Sequence, residues 1–116
     1  VAQLTTGLAE AAALAQALGI APDLIFETLS ANPSLNCGYF DVKKEKILKK
    51  RFTPDFPLKH MLKDARFMLA EAAKKKLSLP VTAAVVSLME KSYNSGYGDN
   101  DLSAVLSNLT EPLGLK

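Results

Sequence analysis

Between Phe52 and Leu69 the chain reads Phe-Thr-Pro-Asp-Phe-Pro-Leu-Lys-His-Met-Leu-Lys-Asp-Ala-Arg-Phe-Met-Leu, and no other stretch restricts the fold as much. Pro54 and Pro57 fix the backbone at φ of about −65° and bias the residues before them towards extended conformations. Beyond them, Leu58, Met61, Leu62, Ala65, Met68, Leu69 and Ala72 recur at helical spacing. That stripe predicts an amphipathic helix from Pro57 to Lys76. The opposite side carries His60, Lys63, Asp64 and Phe67, with His60 one turn before Asp64. A helix that only covers a core has no special use for a lysine and a carboxylate side by side.

The same period recurs along the chain. Val1 to Leu18 is rich in alanine and leucine, the strongest helix formers, and Gly19 stands where a left-handed C′ residue belongs. Leu4, Leu8, Ala11, Ala12, Ala15 and Leu18 define one apolar face. Ala9, Ala13 and Ala17 make a second, small enough for close helix approach, so this helix is predicted to be buried on several sides. Ala21-Pro22-Asp23 opens a short helix with Leu24, Ile25, Phe26 and Leu29 as apolar contacts, and Asn32-Pro33-Ser34 ends it. Asn36-Cys37-Gly38 reads as a turn before a third helix, Tyr39 to Lys50.

Lys74-Lys75-Lys76 suits the negative end of the central helix. Pro80 starts another helix, with Val81, Ala84, Val85, Leu88 and Met89 on one face. A turn-rich loop from Asn94 to Asp101 follows, and Asp101 or Asn100 caps a last helix, Leu102 to Leu109. No stretch alternates with period two. The expected fold is all-α, a compact bundle of about six helices forming one domain over residues 1–116.

Composition narrows the function. The 116 residues are 48% apolar and 22% charged, the balance of a globular chain with one core. A net charge of +2 is too small to imply a nucleic-acid partner. Cys37 is the only cysteine, which excludes an intramolecular disulfide and fits a reducing, cytoplasmic setting. No apolar run is long enough to predict a membrane span. Helical periodicity is already running at Val1, without an initiator methionine, so the sequence is expected to be a piece of something longer.

Recognisable cofactor motifs are absent from the sequence: no Gly-x-Gly-x-x-Gly, no P-loop and no Gly-x-Ser-x-Gly. His60 is the only histidine, and the carboxylate spacing predicts no metal site. Two readings of His60, Lys63, Asp64 and Phe67, with Phe56 before them, remain open on residue types alone. One is an ordinary polar stripe with His60 half buried. The other is a ligand face on which Lys63 donates, Asp64 accepts and Phe56 walls the pocket.

Phe56-Pro-Leu-Lys-His-Met-Leu-Lys63-Asp64 followed by Arg-Phe-Met-Leu-Ala resembles the Lys-Asp helix of the β-hydroxyacid dehydrogenase family. That family includes 3-hydroxyisobutyrate dehydrogenases, tartronate semialdehyde reductases and glyoxylate/succinic semialdehyde reductases, and the wording here is most similar to the last branch. Leu8-Ala-Glu10-Ala-Ala-Ala-Leu-Ala with Gly19, Leu79-Pro80-Val81, and Gly98-Asp99-Asn-Asp101-Leu-Ser103-Ala104 resemble the family's other helical motifs in the same order.

The resemblance implies the C-terminal helical domain of a 6-phosphogluconate dehydrogenase-like enzyme, serving substrate binding and oligomerisation. Its partners would be an N-terminal Rossmann domain, NAD or NADP, a small hydroxy or oxo acid, and further copies of the chain. By the same resemblance Lys63 contacts the nicotinamide end of the cofactor, Asp64 is the neighbouring active-site carboxylate and Phe56 lines the substrate pocket. The family's general acid/base lysine is expected a few residues before Val1, so no catalytic residue is assigned within this sequence, and the piece alone is expected to be inactive.

The alternative is a free-standing helical interaction or nucleic-acid-binding module using the basic run. Lys43 to Arg51 holds six basic residues and one glutamate. No aromatic residues interleave with them, and the plainer expectation is a solvated helix face anchored by Ile47 and Leu48, with no nucleic acid bound.

Overall fold

The computed structural model describes residues 1–115. Six α-helices follow in order: α1 (Ala2–Ala17), α2 (Asp23–Ala31), α3 (Gly38–Lys49), α4 (Leu58–Lys74), α5 (Pro80–Ser92) and α6 (Val105–Thr110). A π-helical turn at Tyr93–Tyr97 and 3-10 turns at Leu102–Ala104 and Glu111–Leu113 complete the set. Among the described residues the only β-type pairing outside the helices is one antiparallel bridge between Pro57 and Asp101. The all-α class and the six-helix bundle therefore stand.

Local chemistry explains the boundaries. Gly19, at φ 71°, takes the left-handed position after α1, where a side chain would be strained. Pro57 is extended at φ −60°, ψ 137° and hands over to α4 at Leu58. Pro80 occupies the first turn of α5, where its missing N–H costs nothing. The expected last helix is divided: a 3-10 turn at Leu102–Ala104 runs into α6. Asp101 caps that turn, its carboxylate accepting from the Ser103 amide at 3.1 Å.

Helix α1 is the axis of the bundle, in contact with α3, α5, α6 and the Leu102–Ala104 turn. Its buried face is Ala2, Thr5, Thr6, Leu8, Ala9, Ala12, Ala13 and Ala15. This corrects the expected apolar face, because Leu4, Ala11 and Leu18 are exposed, as is Ala17. The reason is distance: alanines and threonines let the α1 backbone approach its neighbours, so most of its leucines are left on the outside. Burial is broad, as expected, and the small-residue face carries it.

Leu58, Leu62 and Ala65 of α4 are buried against the core with Met89, Leu102, Val105 and Leu106. Met61 and Leu69 are partly buried, whereas Met68, expected in the stripe, is exposed. Complete burial of a Leu-sized side chain contributes about 1.5–3 kcal/mol. These residues therefore fix how α4 is rotated, and rotation decides which of its side chains face out.

Helix α3 departs most from expectation. Ile47 is buried and Leu48 partly so, as expected, but Lys43 is also buried, with 2% of its side chain exposed. Four of the six basic residues of the run are tied down by neighbours. Lys43 pairs with Asp101, Lys46 bonds the Thr53 carbonyl, Lys49 pairs with Glu45, and Lys50 bonds the Thr110 hydroxyl and the Leu115 carbonyl. The basic face is therefore solvated only in part: Lys49 and Arg51 are exposed, whereas Lys43 is buried.

Candidate functional site

Residues 52–57 form a non-helical strap leading into α4 and are held by the loop at 98–102. The Asp101 amide donates to the Phe52 carbonyl at 2.9 Å and the Leu102 amide to the Phe56 carbonyl at 3.1 Å. The first amides of α4 are also spoken for: Leu58 N–H donates to Asn100 O at 2.8 Å and Lys59 N–H to Gly98 O at 3.0 Å. A helix start normally leaves such amides open to solvent or an anion. Here the loop takes them, so the N-terminus of α4 offers no phosphate cradle.

Gly98 leaves room for the Tyr93 ring of the preceding turn. A Cβ there would lie 2.9 Å from the Tyr93 ring and 3.9 Å from Lys59. On the surface beside it, Lys59 and Asp99 form an ion pair at 2.5 Å. Their hydrogen bond raises the Lys59 pKa and lowers that of Asp99.

Asp101 is the knot behind the strap. Its carboxylate accepts from Lys43 Nζ at 2.9 and 3.0 Å, Asp55 N–H at 3.1 Å, Phe56 N–H at 3.4 Å, Ser103 N–H at 3.1 Å and Ser103 Oγ–H at 2.7 Å. Burial pushes this carboxyl up, but the bonds from Ser103, Lys43 and the Asp55 amide outweigh it and hold the pKa below the usual carboxylate range. Lys43 also lies 5.5 Å from the centre of the Tyr39 ring. Tyr39 bonds Thr5 of α1 at 2.5 Å, and burial raises its phenol pKa.

In front of the strap, α4 shows the predicted site residues. Phe56, His60, Lys63, Asp64 and Phe67 are all exposed on one side. Phe56 and His60 meet edge to face with ring centroids 6.2 Å apart, and His60 is exposed rather than half buried, contrary to the plain-stripe expectation. Lys63 Nζ lies 3.5 Å from Asp64 Oδ1, with the two side chains 57% and 51% exposed. The fold thus brings an aromatic, an imidazole, an ammonium and a carboxylate together at one surface. Such a face can hydrogen-bond a polar ligand and stack beside its ring, but it lacks a buried base.

The sequence pattern does not announce Lys43 and Asp101 as a pair, although Asp101 is expected as a cap. One signal is present: Phe40, Lys43 and Ile47 share helical spacing, so the lysine falls on an apolar stripe. Among the described residues no cluster of His, Cys, Asp and Glu is placed to hold a metal ion, and no helix is long and apolar enough to cross a membrane.

The bundle is shared with the crystal structure of 3-hydroxyisobutyrate dehydrogenase from Salmonella typhimurium, at a TM-score of 0.84 and 24% identity, over 92% of this chain and 37% of that one. Residues 1–109 match the family described as NAD-binding of NADP-dependent 3-hydroxyisobutyrate dehydrogenase. The chain belongs to the β-hydroxyacid dehydrogenase family. It is 31% identical to glyoxylate/succinic semialdehyde reductase 2, chloroplastic, of Arabidopsis thaliana over 91% of this chain and 29% of that protein. It is also 34% identical to the cytokine-like nuclear factor N-PAC of Aedes aegypti over 88% of this chain and 18% of that protein. The chain thus spans less than a third of the length of either of these two relatives.

Proposed function

We propose that this chain is the helical C-terminal domain of an NAD- or NADP-dependent oxidoreductase that moves hydride between the nicotinamide and a small hydroxy acid or its semialdehyde or oxo acid. The observation that carries the reading is the exposed Phe56–His60–Lys63–Asp64 face, which falls on the motif resembling the family's Lys-Asp helix. Lys63 would donate to the carboxamide and ribose end of the cofactor. Asp64, 3.5 Å away, would hold that ammonium in place, and Phe56 would wall the substrate pocket.

The residues present fit the nicotinamide end of the cofactor and not its phosphates, since the α4 amides are consumed within the fold. The nicotinamide, when bound, supplies or takes up the hydride. A Rossmann domain would hold the rest of it, and the lysine that would move the hydroxyl proton is the one the resemblance expects a few residues before Val1. The domain alone is then inactive. Exposed Leu14, Leu18, Ile20 and Leu24 on α1, α2 and their connection are the surface proposed for association between copies.

The similarity to a cytokine-like nuclear factor supports a second reading, a helical interaction module. One experiment separates the two. The complete encoded protein is assayed with NADH and NADPH against glyoxylate, succinic semialdehyde, tartronate semialdehyde and, in the oxidative direction, 3-hydroxyisobutyrate. Turnover that falls in Lys63→Ala supports the dehydrogenase reading. No turnover with either nicotinamide, or no glycine-fingerprint βαβ unit encoded before Val1, supports the module instead.

A further inference from the structure

We infer that the buried Lys43–Asp101 pair is a positioning device for the candidate site, setting Phe56 and the first turn of α4 from behind. The inference rests on the dehydrogenase reading for its kinetic consequence and on geometry for the rest. Neither residue reaches the exposed face: Lys43 is 2% exposed and Asp101 fully buried. What they reach is the backbone that carries it.

Phe56 is held through both its backbone amide and its backbone carbonyl. Its amide points at Asp101 Oδ2, 3.4 Å away, and its carbonyl accepts from Leu102 N–H at 3.1 Å. The preceding amide, of Asp55, bonds the same carboxylate oxygen at 3.1 Å. The residue is 38% exposed, and its ring meets His60 edge to face. Its place is therefore set with the strap, which the Asp101 carboxylate holds together with the backbone bonds from Asp101 and Leu102 to the Phe52 and Phe56 carbonyls.

An apolar side chain at position 101 could fill space but could not accept from Asp55, Phe56 and Ser103 together. The five donor groups around Asp101 need an anion with both oxygens available. Lys43 supplies the countercharge from α3, and Asp55, whose carboxylate lies 3.5 Å from Lys43 Nζ, ties the same ammonium back to the strap. A buried ion pair adds little net stability over a packed apolar pair, so its distinguishing contribution is direction. Errors of about an ångström in such a support are worth up to roughly a hundredfold in rate.

The test uses the complete encoded protein and two variants, D101N and the charge-free double variant K43M/D101N, each assayed at a temperature where circular dichroism shows it folded. The expected result is a rise in substrate KM of ~10-fold or more in both variants. Amide hydrogen exchange should quicken at Asp55 and Phe56, while the α5 core amides keep their protection. The double variant should recover melting temperature relative to D101N without recovering KM, a split that a purely structural pair would not show. A folded variant with wild-type KM and wild-type protection at Asp55 and Phe56 overturns the inference. If the wild-type protein turns over none of the acids, the dehydrogenase reading fails. Exchange then decides alone: selective loss at Asp55 and Phe56 supports positioning, and unchanged protection rejects it.

Discussion

Two of the molecule's lysine–aspartate pairs differ in nearly every physical respect. Lys43 and Asp101 come from elements far apart in sequence, are buried, and meet at 2.9 and 3.0 Å within a network of backbone amides. Lys63 and Asp64 are chain neighbours, half exposed, and 3.5 Å apart with no such network around them. The first pair has its hydrogen-bonding capacity used inside the fold. The second keeps its capacity open at the surface. A charged pair that the fold does not consume is the better candidate for work on a ligand, and the consumed pair for holding the frame.

The sharpest way to break this contrast is Asp101→Ala, which leaves the buried Lys43 ammonium with only the more distant Asp55 carboxylate and strands several amides. It should cost about 3–5 kcal/mol, seen as a lower urea midpoint. That corresponds to a melting temperature lower by more than ~10 °C for a domain of this size. A loss within ~2 °C would show that the knot is not where the strap is anchored. Removing both charges is expected to do less harm than removing one. K43M/D101N should return to within about 2 kcal/mol of wild type, because no ammonium is stranded and the amide oxygen still accepts from backbone N–H groups.

Acid sharpens the comparison further. The folded-state pKa of Asp101 lies below its unfolded value, so its contribution is complete above the unfolded pKa of about 3.9 and is lost as pH falls through the folded pKa. Urea midpoints should therefore hold down to roughly pH 4 and then decline. K43M/D101N should show a shallower decline, and an identical acid limb would remove Asp101 from the linkage. The smallest effect belongs to the exposed pair: Lys63→Ala should change stability by no more than ~0.5 kcal/mol.

Much of this is legible in residue order. The stripe from Leu58 to Ala72 and the prolines at 57 and 80 place α4 and α5 to within a few residues, because burial of apolar area and fixed proline φ act locally. Gly19 marks the end of α1 for the same reason. What escapes are choices made by tertiary distance. Close approach of α1 to its neighbours favours Ala9 and Ala13 over Leu4 and Leu18, and nothing in the helix period alone ranks them. The knot at Asp101 joins α3, the strap and the 98–102 loop across distant parts of the chain, so its donors share no local pattern. The Lys63–Asp64 face is legible because its residues lie within one helix, and the family resemblance proposes its role.

The most direct measurement compares both properties in one protein. Lys63→Ala/Asp64→Ala in the complete encoded protein is assayed for melting temperature and for the KM of NADH and NADPH. A melting temperature within ~2 °C of wild type, with KM for the working nicotinamide raised ~10-fold or more, is expected of a surface built for a ligand. Unchanged kinetics with both nicotinamides, or a melting temperature that collapses, would contradict the division of labour between the two pairs.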